Sequence, residues 1–186
     1  MEIELAWADA RLGNDAAALS AFRAGERLAP GDRLFPYHLG RLLLKADRVD
    51  EAAASYRRCI ELDDAWAKPV FGLGMAGRAA GDLSAADSLF QQAVAMAPGN
   101  PRYRNNLALV QAERGDPGSA ERQLVELLAD FPDYGRGWIN LGLLRMSLGR
   151  REGVAEVVEQ LDGFDDLTDG EVRNRDRLVR YLSSGG

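Results

Sequence analysis

The chain has 186 residues, a net charge of −6 and 46% apolar residues. That length holds one ordinary domain or one short repeat array, and the apolar content is that of a folded protein. The acidic balance disfavours non-specific nucleic-acid binding by the chain as a whole. One cysteine, Cys59, excludes an internal disulfide framework, and no apolar run approaches the roughly 20 residues of a membrane span.

The sequence is self-similar at a period of 34 residues, and fixed periods of this kind mark repeat architectures. Leu5, Leu39, Leu73, Leu107 and Leu141 keep that spacing, each followed by Ala or Gly. A turn position follows at Gly13, Asp47, Gly81, Gly115 and Gly149. A small-residue position comes at Ala18, Ala52, Ala86, Ala120 and Val154, and a large one at Phe22, Tyr56, Phe90, Leu124 and Val158. Pro30, Asp64, Pro98 and Pro132 close four of the units.

In chain order, the first repeat runs over about 1–31, and its first helix begins almost at Met1 with Ile3 and Trp7 on one face. The second, about 32–65, carries Asp47 where the others have Gly; Asp tolerates turn geometry. The third, about 66–100, places Pro69 in a first helical turn, where a missing donor costs little. Its stretch from Met75 to Gly81 is rich in small residues and predicts close helix approach. The fourth, about 101–134, opens on Pro101, and its internal turn predicts a Ser119 cap. The fifth, about 135–162, drifts in its second half, as an end repeat does. A linker at 163–167 leads to Thr168-Asp-Gly-Glu171, a capping box. Val172, Leu178, Val179 and Leu182 then form one apolar stripe, expected to cover the array's end.

Each unit holds two apolar-periodic stretches of roughly 12–14 residues, the length of a globular helix. Gly74 and Ala86 permit close approach within the third unit, Phe90 fills the space left, and Pro98 ends a helix. The Leu-Gly, Ala, aromatic and Pro offsets resemble the tetratricopeptide repeat over residues 1 to about 162. The resemblance implies an all-α, right-handed α-solenoid of five antiparallel helix pairs, with residues 163–186 as linker and C-terminal capping helix.

No catalytic constellation stands out. His38 is the sole histidine, so no two-histidine metal site and no structural zinc site can be assembled; no cofactor is expected. Gly72-Leu-Gly74 lies within a helix rather than in a phosphate loop. Asp63-Asp64 and Asp165-Asp166 read as solvated turn residues, and Cys59 as a buried, inert thiol.

The resemblance implies instead a non-catalytic protein-binding module, in which the first helices of successive repeats line a concave groove. By repeat position its wall is Ile3, Trp7 and Arg11, then Tyr37, His38, Arg41 and Lys45, then Lys68, Phe71, Met75 and Arg78. Arg102, Asn105, Asn106 and Leu109 follow, and finally Arg136, Ile139, Asn140 and Leu143. This set has seven basic residues and no acid, although the chain is acidic. One-signed charge on a concave wall speeds encounter with the opposite charge, and aromatic and Arg side chains are frequent interface anchors. The expected partner is therefore a peptide segment, acidic with apolar anchors, with Asn106 and Asn140 holding its backbone. The resemblance also leaves open a repeat region of a larger bacterial enzyme of glycosyltransferase or sulfotransferase type. A self-associating scaffold of pilus or envelope assembly, a homo-oligomer, is a third reading. The acidic start Met1-Glu-Ile-Glu is unlike a secretory signal and favours the cytoplasm. A periplasmic or membrane-anchored placement stays open, because Met1 falls just inside a repeat, as in a segment of a longer chain.

Overall fold

The structure, a computed structural model, describes residues 14–184, so the expectations on Ile3, Trp7, Arg11 and Gly13 lie outside the described residues. It is all-helical over this range. The helices are α1 (Asp15–Leu28), α2 (Leu34–Lys45), α3 (Val49–Leu62), α4 (Ala67–Ala79), α5 (Leu83–Met96), α6 (Pro101–Glu113), α7 (Pro117–Asp130), α8 (Gly135–Ser147), α9 (Arg151–Leu161) and α10 (Asp169–Ser183). The chain divides into two compact units, Met1–Pro98 and Gly99–Gly186.

The turns follow the 34-residue spacing. Asp47, Gly81, Gly115 and Gly149 have φ of 58°, 81°, 87° and 70°, the left-handed region where a side chain is penalised and Gly is not. Asp47 is the single non-glycine residue described there. These residues reverse the chain between α2 and α3, α4 and α5, α6 and α7, and α8 and α9. Pro101 stands at the first position of α6, and Asn100 caps it by accepting from the Arg102 N–H at 3.1 Å. The α7 cap is Asp116, not Ser119: the Asp116 carboxylate accepts from the Ser119 N–H at 3.0 Å. An ionised acceptor at a helix N-terminus also complements the helix dipole.

In the first unit each helix packs on the next, and α2 also touches α4. Phe22, Leu39, Leu43, Ala52 and Tyr56 form a buried cluster. The Tyr56 ring lies between two first helices: a Cβ at Gly40 or at Gly72 would stand 2.8 or 2.5 Å from it. Neither distance is tolerable for a carbon, so both glycines are demanded by the ring. Phe90, fully buried, sits against Gly74 in the same manner, at the close approach expected there.

In the second unit α6 packs on α7, α7 on α8, α8 on α9, and α6 touches α8. Leu124, Leu127, Leu141, Val154, Val157 and Leu161 form its core. The last helix, α10, packs on α8 and α9. Its start is the capping box: Thr168 Oγ1 accepts from the Glu171 N–H, and Glu171 accepts in turn from the Thr168 N–H at 2.9 Å. Leu178 is the buried anchor of α10 and lies where a Cβ on Gly142 would be, at 2.5 Å. Val179, assigned to the same apolar stripe, is 40% exposed. It lies one residue, about 100° of helix turn, from Leu178, and so faces away from the core.

Candidate functional site

Charge is sorted by helix. The first helices of the hairpins, α2, α4, α6 and α8, carry eight basic side chains: Arg41, Lys45, Lys68, Arg78, Arg102, Arg104, Arg136 and Arg145. They carry a single acid, Glu113. The second helices, α1, α3, α5, α7 and α9, carry six basic residues against twelve acids. Because the two sets lie on different helices of each hairpin, the acidity of the chain does not extend to the first-helix surfaces.

In the first unit, α2 and α4 present Tyr37, Arg41, Lys45, Lys68, Met75 and Arg78. Arg41, Lys45 and Lys68 are exposed; Tyr37, Met75 and Arg78 are half-buried. Phe71, expected on this wall, is only 5% exposed and packs on Phe90 with ring centroids 5.3 Å apart, so it supports the wall from beneath. Lys45 is held by Asp15 at 2.8 Å. Among the described residues Arg41 has no carboxylate partner; its guanidinium lies over the Tyr37 ring at 5.9 Å, within cation–π range. No ion pair holds Lys68 among the described residues.

Tyr37 is the centre of an aromatic layer. Its ring meets His38 edge-on at 4.9 Å and Trp66 at 4.6 Å, with Tyr56 at 6.3 Å. Arg33 lies over the Trp66 ring at 4.7 Å and is paired with Asp63. His38 stacks on Phe22 at 5.4 Å. Its pKa is lowered to about 4 by burial first, then by the nearby charges of Arg41 and Lys68, with Asp32 opposing. His38 is therefore neutral near pH 7 and adds no charge to the face. Cys59 is buried and donates its S–H to the Arg33 carbonyl at 3.3 Å. Burial pushes its pKa up to about 11, and so suppresses the nucleophilic thiolate.

In the second unit, α6 and α8 present Arg102, Leu109, Arg136 and the two Asn positions. Arg102 and Arg136 are exposed, and Leu109, Asn106 and Asn140 are half-buried. Asn105 is 1% exposed and is an interior residue: its Oδ1 accepts from Asn140 Nδ2 at 2.8 Å. Asn106 donates to the Arg102 carbonyl of its own helix at 2.8 Å. One amide hydrogen on each of Asn106 and Asn140 is thus engaged within the protein. Ile139 is buried at 2%. Arg136 lies 3.6 Å from Glu171, whose pKa burial would raise. Hydrogen bonds from Thr168 and the Arg136 charge outweigh that burial and hold it low. Arg145 is fixed to Glu121 at 2.9 Å and to the Gly153 carbonyl and Glu156 at 3.0 Å.

Trp66 and Arg33 lie outside the wall expected from repeat position. A tryptophan is more often a packing residue than a ligand stacker, yet Trp66 and Arg33 extend the Tyr37 layer. Their only signal in the sequence is an aromatic at the junction between two repeats. Among the described residues no group of three or more His, Cys, Asp or Glu side chains could hold a metal. No helix there is long and apolar enough to cross a membrane.

Two tetratricopeptide repeat models match the chain, over residues 3–66 and 78–138. The heat-shock protein cognate co-chaperone sgt12 of Aspergillus fumigatus is 31% identical over 87 residues, 47% of this chain. The match spans 26% of that protein's length. The solved structure of PilW, a widely conserved type IV pilus biogenesis factor, superposes with a TM-score of 0.82 at 17% identity, covering 99% of this chain and 86% of PilW. YrrB, a repeat protein with an unusual peptide-binding site, gives 0.70 at 15% identity, covering 98% and 89%. At such identities the solved structures establish the fold alone, that of a helical repeat solenoid. Together with the repeat models and the left-handed turns at 34-residue spacing, they show that this chain belongs to the tetratricopeptide repeat family.

Proposed function

We propose that the chain is a non-catalytic binding module whose first-helix surface in the first unit receives an acidic, apolar-anchored segment of a partner protein. Arg41 and Lys68 supply the charge, while Tyr37 and Met75 supply apolar contact. Lys45 and Arg78 extend the charged margin. On the second unit's own face, Arg102, Arg136 and Leu109 form a shorter strip of the same character, with Asn106 and Asn140 offering their remaining amide hydrogens. The repeats are assigned to residues 1–162, with 163–186 as linker and cap. Similarity to a heat-shock cognate co-chaperone supports a protein-binding role.

The observation that carries this reading is that Arg41 and Lys68 are exposed, lie beside one aromatic layer, and have no carboxylate partner among the described residues. Exposed cations usually form weak local pairs. Two left available on an acid-free helix pair form a patch that favours an anionic ligand.

Titration of a fluorescent Glu/Leu-rich peptide, read by anisotropy, tests it. Affinity near micromolar, about 8 kcal/mol, is expected at low salt. It should fall steeply over a tenfold rise in ionic strength, since exposed charges are screened beyond about 10 Å at 0.1 M salt. Arg41→Glu with Lys68→Glu should weaken binding at least about tenfold. Salt-independent binding, or a double variant that binds normally, removes the proposal.

A further inference from the structure

The second unit carries a separate cleft on the opposite side of α8 from Asn140. Its floor is Trp138 and Leu141, and its walls are Val125 and Leu128 of α7 and Glu156 and Glu159 of α9. The volume is about 440 Å³, within the range of small-molecule and side-chain pockets. The Trp138 indole N–H is satisfied by the Pro132 carbonyl at 2.7 Å, so the ring offers only its apolar surface. Val125, at the mouth, is 45% exposed. Its counterpart two repeats earlier is Arg57, and the counterpart of Trp138 is Val70. The shared scaffold therefore does not require an apolar mouth; these two residues make it.

The α9 wall is anionic. Arg145, the one cation lining the cleft among the described residues, has a side chain only 16% exposed, closed off by Glu121 and Glu156; Arg122 and Arg150 line an adjoining hollow that shares Val125. Glu156 is 70% exposed, and Glu159 has no cation partner among the described residues.

We infer that this cleft is a second docking site, for an apolar side chain of a partner protein flanked by Lys or Arg. Its charge preference is opposite to that of the α2–α4 surface. An aromatic floor gives an anchor a desolvated seat, and such seats hold most of an interface's binding energy. The exposed carboxylates, Glu159 above all since Glu156 also holds Arg145, then select the flanking charge.

The test uses the whole chain and a short labelled peptide with a leucine pair flanked by lysines. Controls replace the lysines by glutamates, or the leucines by serines. The lysine–leucine peptide is expected to bind and to change Trp138 fluorescence, and each control to bind at least about tenfold more weakly. Val125→Arg, the residue that the scaffold already accepts at position 57, should abolish this binding. It should leave the thermal melt, and binding of the acidic peptide, unchanged. Glu159→Lys should weaken it several-fold. Equal binding of the lysine and glutamate peptides overturns the inference, as does unaltered binding by Val125→Arg. If light scattering shows that the chain dimerises and Val125→Arg makes it monomeric, a second copy occupies the cleft and the partner assignment falls. Because the two sites select opposite charge, failure here leaves the acidic-peptide reading intact.

Discussion

The first helices of both units carry basic residues, and one repeat position, that of Lys68, Arg102 and Arg136, is basic in both units, but the two units treat their cations differently. On α2 and α4, Arg41 and Lys68 have no carboxylate partner among the described residues. In the second unit, Arg104 is drawn to Asp130, Arg136 to Glu171, and Arg145 into a network with Glu121 and Glu156. Even Asn140 bonds to the buried Asn105, and Asn106 to its own helix. A repeat position thus decides where a side chain stands, whereas its neighbours across the hairpin decide whether it is available to a ligand. On its first helices the second unit has tied Arg104, Arg136 and Arg145 to carboxylates; the first ties Lys45 to Asp15 but leaves Arg41 and Lys68 exposed.

Three experiments sharpen or break this contrast. The largest effect is expected from comparing Arg145→Ala with Arg41→Ala. Removing Arg145 takes one of two cations from the half-buried Glu121, which keeps Arg150, and breaks bonds to the Gly153 carbonyl and Glu156; at about 1 kcal/mol for each hydrogen bond it should cost about 3 kcal/mol. Removing Arg41 should cost less than about 0.5 kcal/mol, as exposed substitutions do. Equal losses in urea unfolding would mean that both cations are structural, and the contrast would collapse.

Next comes acid stability. The folded-state pKa of His38, about 4, lies below the ordinary 6.5, so the unfolded chain binds the extra proton between these values. Stability should be full above pH 6.5 and decline as pH falls toward 4, with about 2 kcal/mol lost by pH 5. His38→Gln should flatten that slope. A slope unchanged by the substitution would show that burial and the charges of Arg41 and Lys68 do not hold this ring neutral.

The smallest effect concerns the cap. Thr168→Ala removes the hydroxyl half of the box at the start of α10 and should cost about 1 kcal/mol. It also removes the hydroxyl bond to Glu171, which keeps only the backbone N–H of residue 168, so the carboxylate that holds Arg136 should be less firmly placed. Line broadening at the Arg136 side chain in NMR would register that; an unchanged signal would separate the cap from the charge network.

Much of the architecture was legible because it depends on local chemistry at fixed spacing. The turns at Asp47, Gly81, Gly115 and Gly149, the box at Thr168 and the Phe90–Gly74 contact are each readable from a few neighbouring residues. The fate of individual polar groups was not. Asp116 displaces Ser119 as a cap because two acceptors compete for one helix end. Asn105 lies inside while Asn106, one residue on, is half out; that depends on a few tens of degrees of helix rotation. Whether Arg145 is free depends on Glu121, 24 residues earlier, a relation no short window contains. Phe71 carries the right chemistry for a wall, yet its ring points under Phe90 rather than outward.

The seat of Tyr56 bears on how such arrays can be rebuilt. Its ring is shaped against one glycine in its own hairpin and another in the hairpin that follows. Moving the 34-residue segment that holds Tyr56 into a foreign array would therefore set the ring against whatever side chain waits at the next junction. The smallest portable piece here is a hairpin together with the helix after it, and a chimera cut at the apparent repeat border should fail at that joint first.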